Sequence, residues 1–317
     1  MTSVHGIHHV TAICGDAQEN LDFYTGVLGL RLVKRSVNQD SPDTYHLFYA
    51  DAAGSPGADL TFFPWPGMSA ATKGAGLVME VGFAIPEGSF GFWADHLRDA
   101  GVATERSKRF GEATLSFQDP HGLALALSES PRPLPVTPWE ASPVPPERQI
   151  RGFHAVRLRE HGLGISGGFL RDVMGFEEVG SEDGWHRLAV AGGGSSRLVE
   201  IQEEPDAPRG MFGVGGVHHV AFRVADDEEQ HAVRRQVLAA GRPATEVIDR
   251  FWFRSVYFHE PGGVLYELAT DGPGFSVDEA PGELGARLIL PPWLEPHRGE
   301  IERALPPLHV GPTPGRK

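Results

Sequence analysis

The sequence predicts an α+β fold built from four tandem units, each a strand, a helix and three further strands (βαβββ). Three observations carry this prediction. The chain repeats itself: FYTGVLGLRLV at 23–33 matches FLRDVMGFEEV at 169–179, superimposing Gly29 on Gly175, and FQDPHGLALAL ending at 127 matches FHEPGGVLYEL ending at 268. AGVATERSKRF at 100–110 matches AGRPATEVIDRF at 240–251 at a second phase, so the order of units is A, B, A′, B′. Between the halves lies SPRPLPVTPWEASPVPPERQ, too rich in proline for a helix or an interior strand.

The elements of the first unit follow in order. HHVTAIC has strand composition, and Asp16 with Glu19 three residues later forms an acidic helix-capping pattern. Leu21, Tyr24, Val27 and Leu28 recur at helical spacing, and Gly29 suits a left-handed C-terminal cap. TYHLFYAD and ADLTFFPW, joined by the Gly- and Pro-containing AAGSPG, read as a hairpin. The other units repeat this order. The expected organisation is a first pair of units over 1–130, a Pro-rich linker over 131–150, a second pair over 151–272, and a Pro-rich tail over 273–317 with a short helix in GEIERAL.

Composition narrows the partners. Lys and Arg number 28 against 42 Asp and Glu, a formal charge of −14, which argues against nucleic acid or an anionic membrane and favours a small organic molecule or a metal ion. No basic n-region with an apolar h-region opens the chain, and no apolar run is long enough to span a bilayer, so a cytoplasmic location is expected; self-association is left open. Cys14 is the single cysteine, so any metal site must use imidazole and carboxylate, and Cys14 itself reads as a structural thiol. Ser166 in GISGG falls in the loop entering a helix rather than at a nucleophile elbow, and AGGGSS at 191–196 reads as a hairpin turn. His259 reads as an exposed turn residue.

One phrase occurs twice: GIHHVTAICGD at 6–16 and GVHHVAFRVAD at 216–226. Strand alternation puts His9 and Thr11 on one face and His8 on the other, and His219 recurs at the phase of His9. The tandem units resemble the vicinal oxygen chelate superfamily, which includes glyoxalases, bleomycin- and fosfomycin-resistance proteins and extradiol ring-cleaving dioxygenases. The resemblance implies that paired units form cupped mixed sheets, each unit offering a metal ligand from its first and its last strand. Aligning the repeats puts His9, Glu80, Ala155 and His219 at the first position and Phe62, Ala126, Glu200 and Glu267 at the second. Units one and four then supply His9, His219 and Glu267, with Phe62 closing the fourth position; units three and four would supply Glu200, His219 and Glu267 instead. Two imidazoles and one carboxylate suit a non-heme Fe(II) oxygenase, and Mn(II) fits them too.

Within that superfamily the chain looks most like hydroquinone-type ring-cleaving dioxygenases, through HHVTAICGDAQENLDFYTGVLGLRLVK, RFWFRSVYFHEPGGVLYELATD and the tail LILPPWLEPHRGEIERALPPL. This resemblance implies metal ligands His9, His219 and Glu267, and substrate contacts His8, Thr11, His218, Arg250 and Tyr257. It implies a small aromatic substrate and O₂, with Arg250 and Tyr257 orienting the ring and stabilising charge, and His218 or His8 moving a proton. In an ideal strand His8 and His218 face away from the metal, so a bulge is needed to bring them near. Asp249 stands where the family often has Asn, which bears on the ring substituents accepted. Two rival functions are a glyoxalase-like metal-dependent isomerase or lyase, which needs no O₂ and surrounds its metal more fully, and a metal-free sequestering protein, which predicts apolar residues at His9, His219 and Glu267.

Overall fold

The computed structural model describes residues 2–311. In the first unit β1 (Ile7–Cys14) leads into α1 (Ala17–Asp22), whose N-terminus is capped by Asp16 accepting from the Gln18 and Glu19 amides. The helix does not continue regularly as its spacing suggests: Phe23–Val27 widens into a π turn in which the Leu28 amide donates to the Phe23 carbonyl. Gly29 then adopts φ 69°, where a Cβ would meet Ser142 Oγ at 2.5 Å, and its repeat partner Gly175 adopts φ 82°. β2 (Arg31–Asn38), β3 (Ser41–Ala50) and β4 (Asp59–Pro64) complete the unit as a meander.

The second unit is β5 (Leu77–Ile85), α2 (Phe90–Asp99), β6 (Glu105–Arg109), β7 (Glu112–Gln118) and β8 (Ala124–Glu129). The third is β9 (Phe153–Glu160), α3 (Leu163–Met174), β10 (Glu177–Glu182), β11 (Trp185–Ala189) and β12 (Leu198–Glu203). The fourth is β13 (Val217–Val224), α4 (Asp227–Ala239), β14 (Ile248–Asp249), β15 (Arg254–His259) and β16 (Leu265–Thr270), and α5 (Arg298–Ala304) lies in the tail. Ser166 lies buried within the first turns of α3 rather than in the loop before it, and the glycine run at 192–194 turns between β11 and β12.

These strands form two curled eight-stranded sheets, and the sheets do not follow the two halves of the chain. One runs β14-β15-β16-β13-β1-β4-β3-β2, joining the fourth unit to the first; the other runs β10-β11-β12-β9-β5-β8-β7-β6, joining the third to the second. At the centre of the first sheet β1 pairs antiparallel with β13, while β4 and β16 lie parallel to β1 and β13 respectively. The β1–β13 register shifts between Ile7 and His9, a bulge that turns a side chain out of strict alternation.

The Pro-rich stretch 131–150 has neither helix nor strand, yet it is bonded to the first unit: Thr137 N donates to Asp51 Oδ2 at 2.8 Å and Ser142 Oγ to the Gly29 carbonyl at 2.7 Å. The tail is anchored through Lys34, which is wholly buried on β2. Its ammonium bonds Asp278 at 2.6 Å, the Phe275 carbonyl at 3.2 Å and Glu279. Asp278 also accepts from Trp252 Nε1 at 2.9 Å. Among the described residues, no helix is long and apolar enough to cross a membrane.

Candidate metal centre

Central pairing of β1 with β13 brings together residues from opposite ends of the sequence. Thr11 lies opposite His219 and His9 opposite Ala221, so the two histidines are diagonal neighbours on one face. Ala221 is in turn opposite Glu267 on β16, which puts the carboxylate on the same face as the two histidines. One donor atom from each of His9, His219 and Glu267 lies within 4.8 Å of the other two. Glu267 Oε2 is 2.9 Å from His219 Nε2 and 3.2 Å from His9 Nε2, and the two Nε2 atoms are 3.3 Å apart. All three residues are buried, and Ser255 Oγ donates to Glu267 Oε1 at 2.5 Å.

The doubled histidines explain how the rings are held. His9 Nδ1 is 3.0 Å from His8 Nδ1, and His219 Nδ1 is 2.8 Å from His218 Nδ1. Burial, followed by the adjacent imidazole, lowers His8 and His218 to about 3, so both are neutral and can accept at Nδ1. With those bonds made, the Nε2 lone pairs of His9 and His219 converge with a carboxylate oxygen. Burial opposes ionisation of Glu267, and hydrogens on the Nε2 atoms of His9 and His219, or a cation in their place, hold its carboxyl well below the ordinary range. Glu267 Oε2 nevertheless has no well-directed hydrogen bond. A buried anion facing two lone pairs is costly unless a cation sits among them. The set therefore fits a divalent metal ion bound by imidazole and carboxylate.

Above this cluster opens a cleft enclosing about 390 Å³, mouth included, with aromatic walls. Arg250 and Tyr257 line it, with the guanidinium 5.5 Å from the Tyr257 ring centre. Arg250 is gripped by Asp40 at 2.8 and 3.2 Å, from the tip between β2 and β3. Burial opposes the Arg250 charge, but Tyr257 and Asp40 outweigh it and raise its pKa; burial and then Glu267 push the Tyr257 hydroxyl up. The cleft thus offers a permanent cation and a protonated phenol. The other residues named from sequence are placed elsewhere. His8 lies behind His9 against Phe253; Thr11 is fully buried with its hydroxyl on Thr61; half-buried His218 packs against Phe63, Trp65 and Phe212 beside a separate cavity. Asp249 bonds the Phe251 amide and lines no part of the cleft. Sequence reasoning missed His46, Asp40 and Trp252, which do line it. The available signal was the alternation in TYHLFYAD, which puts His46 and Phe48 on one face.

The register corrects one sequence alignment. Glu267 pairs with Ala221, two residues beyond His219, so its counterpart in the first unit is the residue opposite Thr11, two beyond His9. That residue is Thr61. Phe62 points instead into the core beside Tyr24. Repeat alignment slipped by one place because a two-residue strand period makes adjacent apolar and polar positions interchangeable in sequence but not in space. The competing set of Glu200, His219 and Glu267 is excluded by topology, since Glu200 belongs to the other sheet. There it bonds Arg187 at 2.6 Å and lies 2.8 Å from Arg157, so guanidinium groups occupy the second cup.

A family model described as Glyoxalase/Bleomycin resistance protein/Dioxygenase superfamily matches residues 6–127 and 165–268. The chain belongs to that superfamily. It is 42% identical over 305 residues to MhqO of Bacillus subtilis (strain 168), whose name marks it as a provisional ring-cleaving dioxygenase, covering 96% of this chain and 97% of that one. It is 33% identical over 311 residues to a chlorohydroquinone/hydroquinone 1,2-dioxygenase of Sphingobium indicum, covering 95% and 96%. A crystal structure from Bacillus subtilis, described as a provisional dioxygenase, superimposes with a TM-score of 0.93 at 40% identity, covering 98% and 99%. Within the Glyoxalase/Bleomycin resistance protein/Dioxygenase superfamily, these relatives support a dioxygenase role.

Proposed function

We propose that this protein is a ring-cleaving dioxygenase that opens a hydroquinone- or catechol-type ring with O₂, using Fe(II) or Mn(II) held by His9, His219 and Glu267. The observation that carries this reading is the convergence of three buried donor atoms at the floor of an aromatic cleft. Bound there, the metal supplies Lewis acidity toward a phenolic hydroxyl and the redox capacity needed to use O₂.

The chain's own residues do the rest. Phe48, Phe63, Trp252 and Phe253 form apolar walls that accept the ring and exclude water. Arg250 and the Tyr257 hydroxyl orient the ring and stabilise negative charge as it develops on oxygen. His8 and His218, neutral and bonded through Nδ1, hold the rings of His9 and His219 with Nε2 inward. That role accounts for both residues without the direct substrate contact and proton transfer expected of them from sequence. The glyoxalase-like alternative is weakened because a threonine, not a carboxylate or imidazole, stands at the fourth position. The test is O₂ uptake by anaerobically Fe(II)-loaded protein, and separately Mn(II)-loaded protein, across hydroquinones and catechols. Uptake with release of a ring-opened product supports the proposal; a fully loaded protein that consumes no O₂ with any of them overturns it.

A further inference from the structure

The first and last units correspond position by position across the centre of their sheet. Thr61 is opposite Phe48 as Glu267 is opposite Tyr257. Two residues before Tyr257, Ser255 bonds Glu267; two residues before Phe48, His46 bonds Thr61, with Nε2 2.8 Å from Thr61 Oγ1. Where the last unit has a hydroxyl and a carboxylate, the first has an imidazole and a hydroxyl. The shorter threonine leaves room for the His46 ring in the cleft, between Phe48 and Phe63 at 3.9 and 4.5 Å between ring centres.

The hydrogen bonds beyond His46 restrict its tautomer. Thr61 Oγ1 lies 2.8 Å from Thr11 Oγ1, and both threonines are fully buried. Each hydroxyl has one hydrogen to donate. Among the described residues Thr11 Oγ1 has no other side-chain partner. If Thr61 donated to Thr11, the Thr11 hydrogen would be buried and unspent, which is unfavourable. If Thr11 donates to Thr61, Thr61 donates to His46 Nε2 and every hydrogen is used. His46 then carries its own hydrogen on Nδ1, which has no partner among the described residues and is not sealed from the cleft. Burial keeps His46 neutral by holding its pKa well below the ordinary value.

We propose that His46 presents a fixed Nδ1–H donor to a substrate oxygen, and that Thr11 and Thr61 are positioning residues that set its tautomer. The substrate class then carries an oxygen besides the one facing the metal cluster, as a hydroquinone does. The substrate contact rests on the dioxygenase reading; the tautomer does not.

The test uses full-length protein labelled with ¹⁵N in histidine and loaded with diamagnetic Zn(II). The resonance missing from His46→Gln identifies His46, and it should report the Nδ1–H tautomer. In Thr61→Val and Thr11→Val it should move toward Nε2–H or a mixture, with zinc content unchanged. Adding hydroquinone should shift the wild-type resonance. A wild-type Nε2–H tautomer, an unchanged tautomer in Thr11→Val, or no His46 shift at any hydroquinone concentration overturns the proposal. If hydroquinone shifts His46 while Fe(II)-loaded protein consumes no O₂, the donor assignment stands and the dioxygenase reading fails. With Fe(II), His46→Gln should raise KM about tenfold with metal retained, as expected for loss of one hydrogen bond. Thr11→Val should add nothing to that variant, and additive effects would break the coupling.

Discussion

His9 Nε2 and His219 Nε2, 210 residues apart in sequence, lie 3.3 Å from one another beside the Glu267 carboxylate. Only the pairing of β1 with β13 makes that approach, so the proposed metal site is also a joint between the first and last units. Metal removal should therefore act on the fold as well as on chemistry. Chelation should lower the melting temperature, and free metal at a thousandfold its Kd should restore about 4 kcal/mol. Calorimetry with and without chelator checks this; identical transitions would mean that the cluster binds no metal under those conditions.

Ligand identity separates the two sheets. His9→Ala, His219→Ala and Glu267→Ala should each abolish metal retention, measured by elemental analysis after desalting. Glu200→Ala should retain the metal. It should nevertheless cost up to about 3–5 kcal/mol, because it leaves Arg157 without the carboxylate 2.8 Å away and Arg187 with Glu112 alone. Loss of metal in Glu200→Ala would contradict the assignment.

Around the cleft, Arg250→Lys should lower kcat/KM about 10- to 100-fold, since an ammonium cannot reproduce the planar fork that meets both Asp40 and the ring. Asp40→Ala should cost only a few-fold, because the Asp40 carboxylate is 74% exposed and its pairing is screened by solvent. Steady-state O₂ uptake at two salt concentrations distinguishes them. An Asp40 effect as large as that of Arg250 would show that orientation, rather than charge, dominates.

The tail should matter to the cleft through Lys34. Lys34→Met leaves Glu279 buried without its cation, an expected loss of about 3–5 kcal/mol. Asp278→Ala removes the acceptor of Trp252 Nε1, so KM should rise while metal content stays constant. An unchanged KM would show that packing alone holds the indole.

A pH dependence of stability follows from Glu160, whose carboxyl is pushed up to about 8 by burial and then by Glu260. Its ordinary value is 4.5, so between the two values the folded state holds a proton that the unfolded state has released. Stability should therefore fall as pH rises from 4.5 toward 8, by up to a few kcal/mol, and level off above. Glu160→Gln should flatten that slope in denaturant titrations across the range. A slope unchanged by the substitution would assign it to another group.

Much of this protein was legible without coordinates. Repetition and strand period identified four βαβββ units and put His9 and His219 at one phase, because side-chain direction along a strand is a local property; Glu267 joined them through the family resemblance. The ring-holding role proposed for His8 and His218 was not legible, since a one-residue bulge before His9 takes the His8 ring out of strict alternation. Nor was the one-place difference between Phe62 and Thr61, on which the environment of His46 depends.

The chain by itself determined the order of strands and helices in four repeated units, and that any metal must be held by imidazole and carboxylate. Tertiary structure decided which units pair, which register they adopt, and that Asp40 from one end of the chain grips Arg250 from the other. The reason is physical: periodicity is written into neighbouring residues, whereas sheet order and register are selected by hydrogen bonds and packing between segments far apart in the chain.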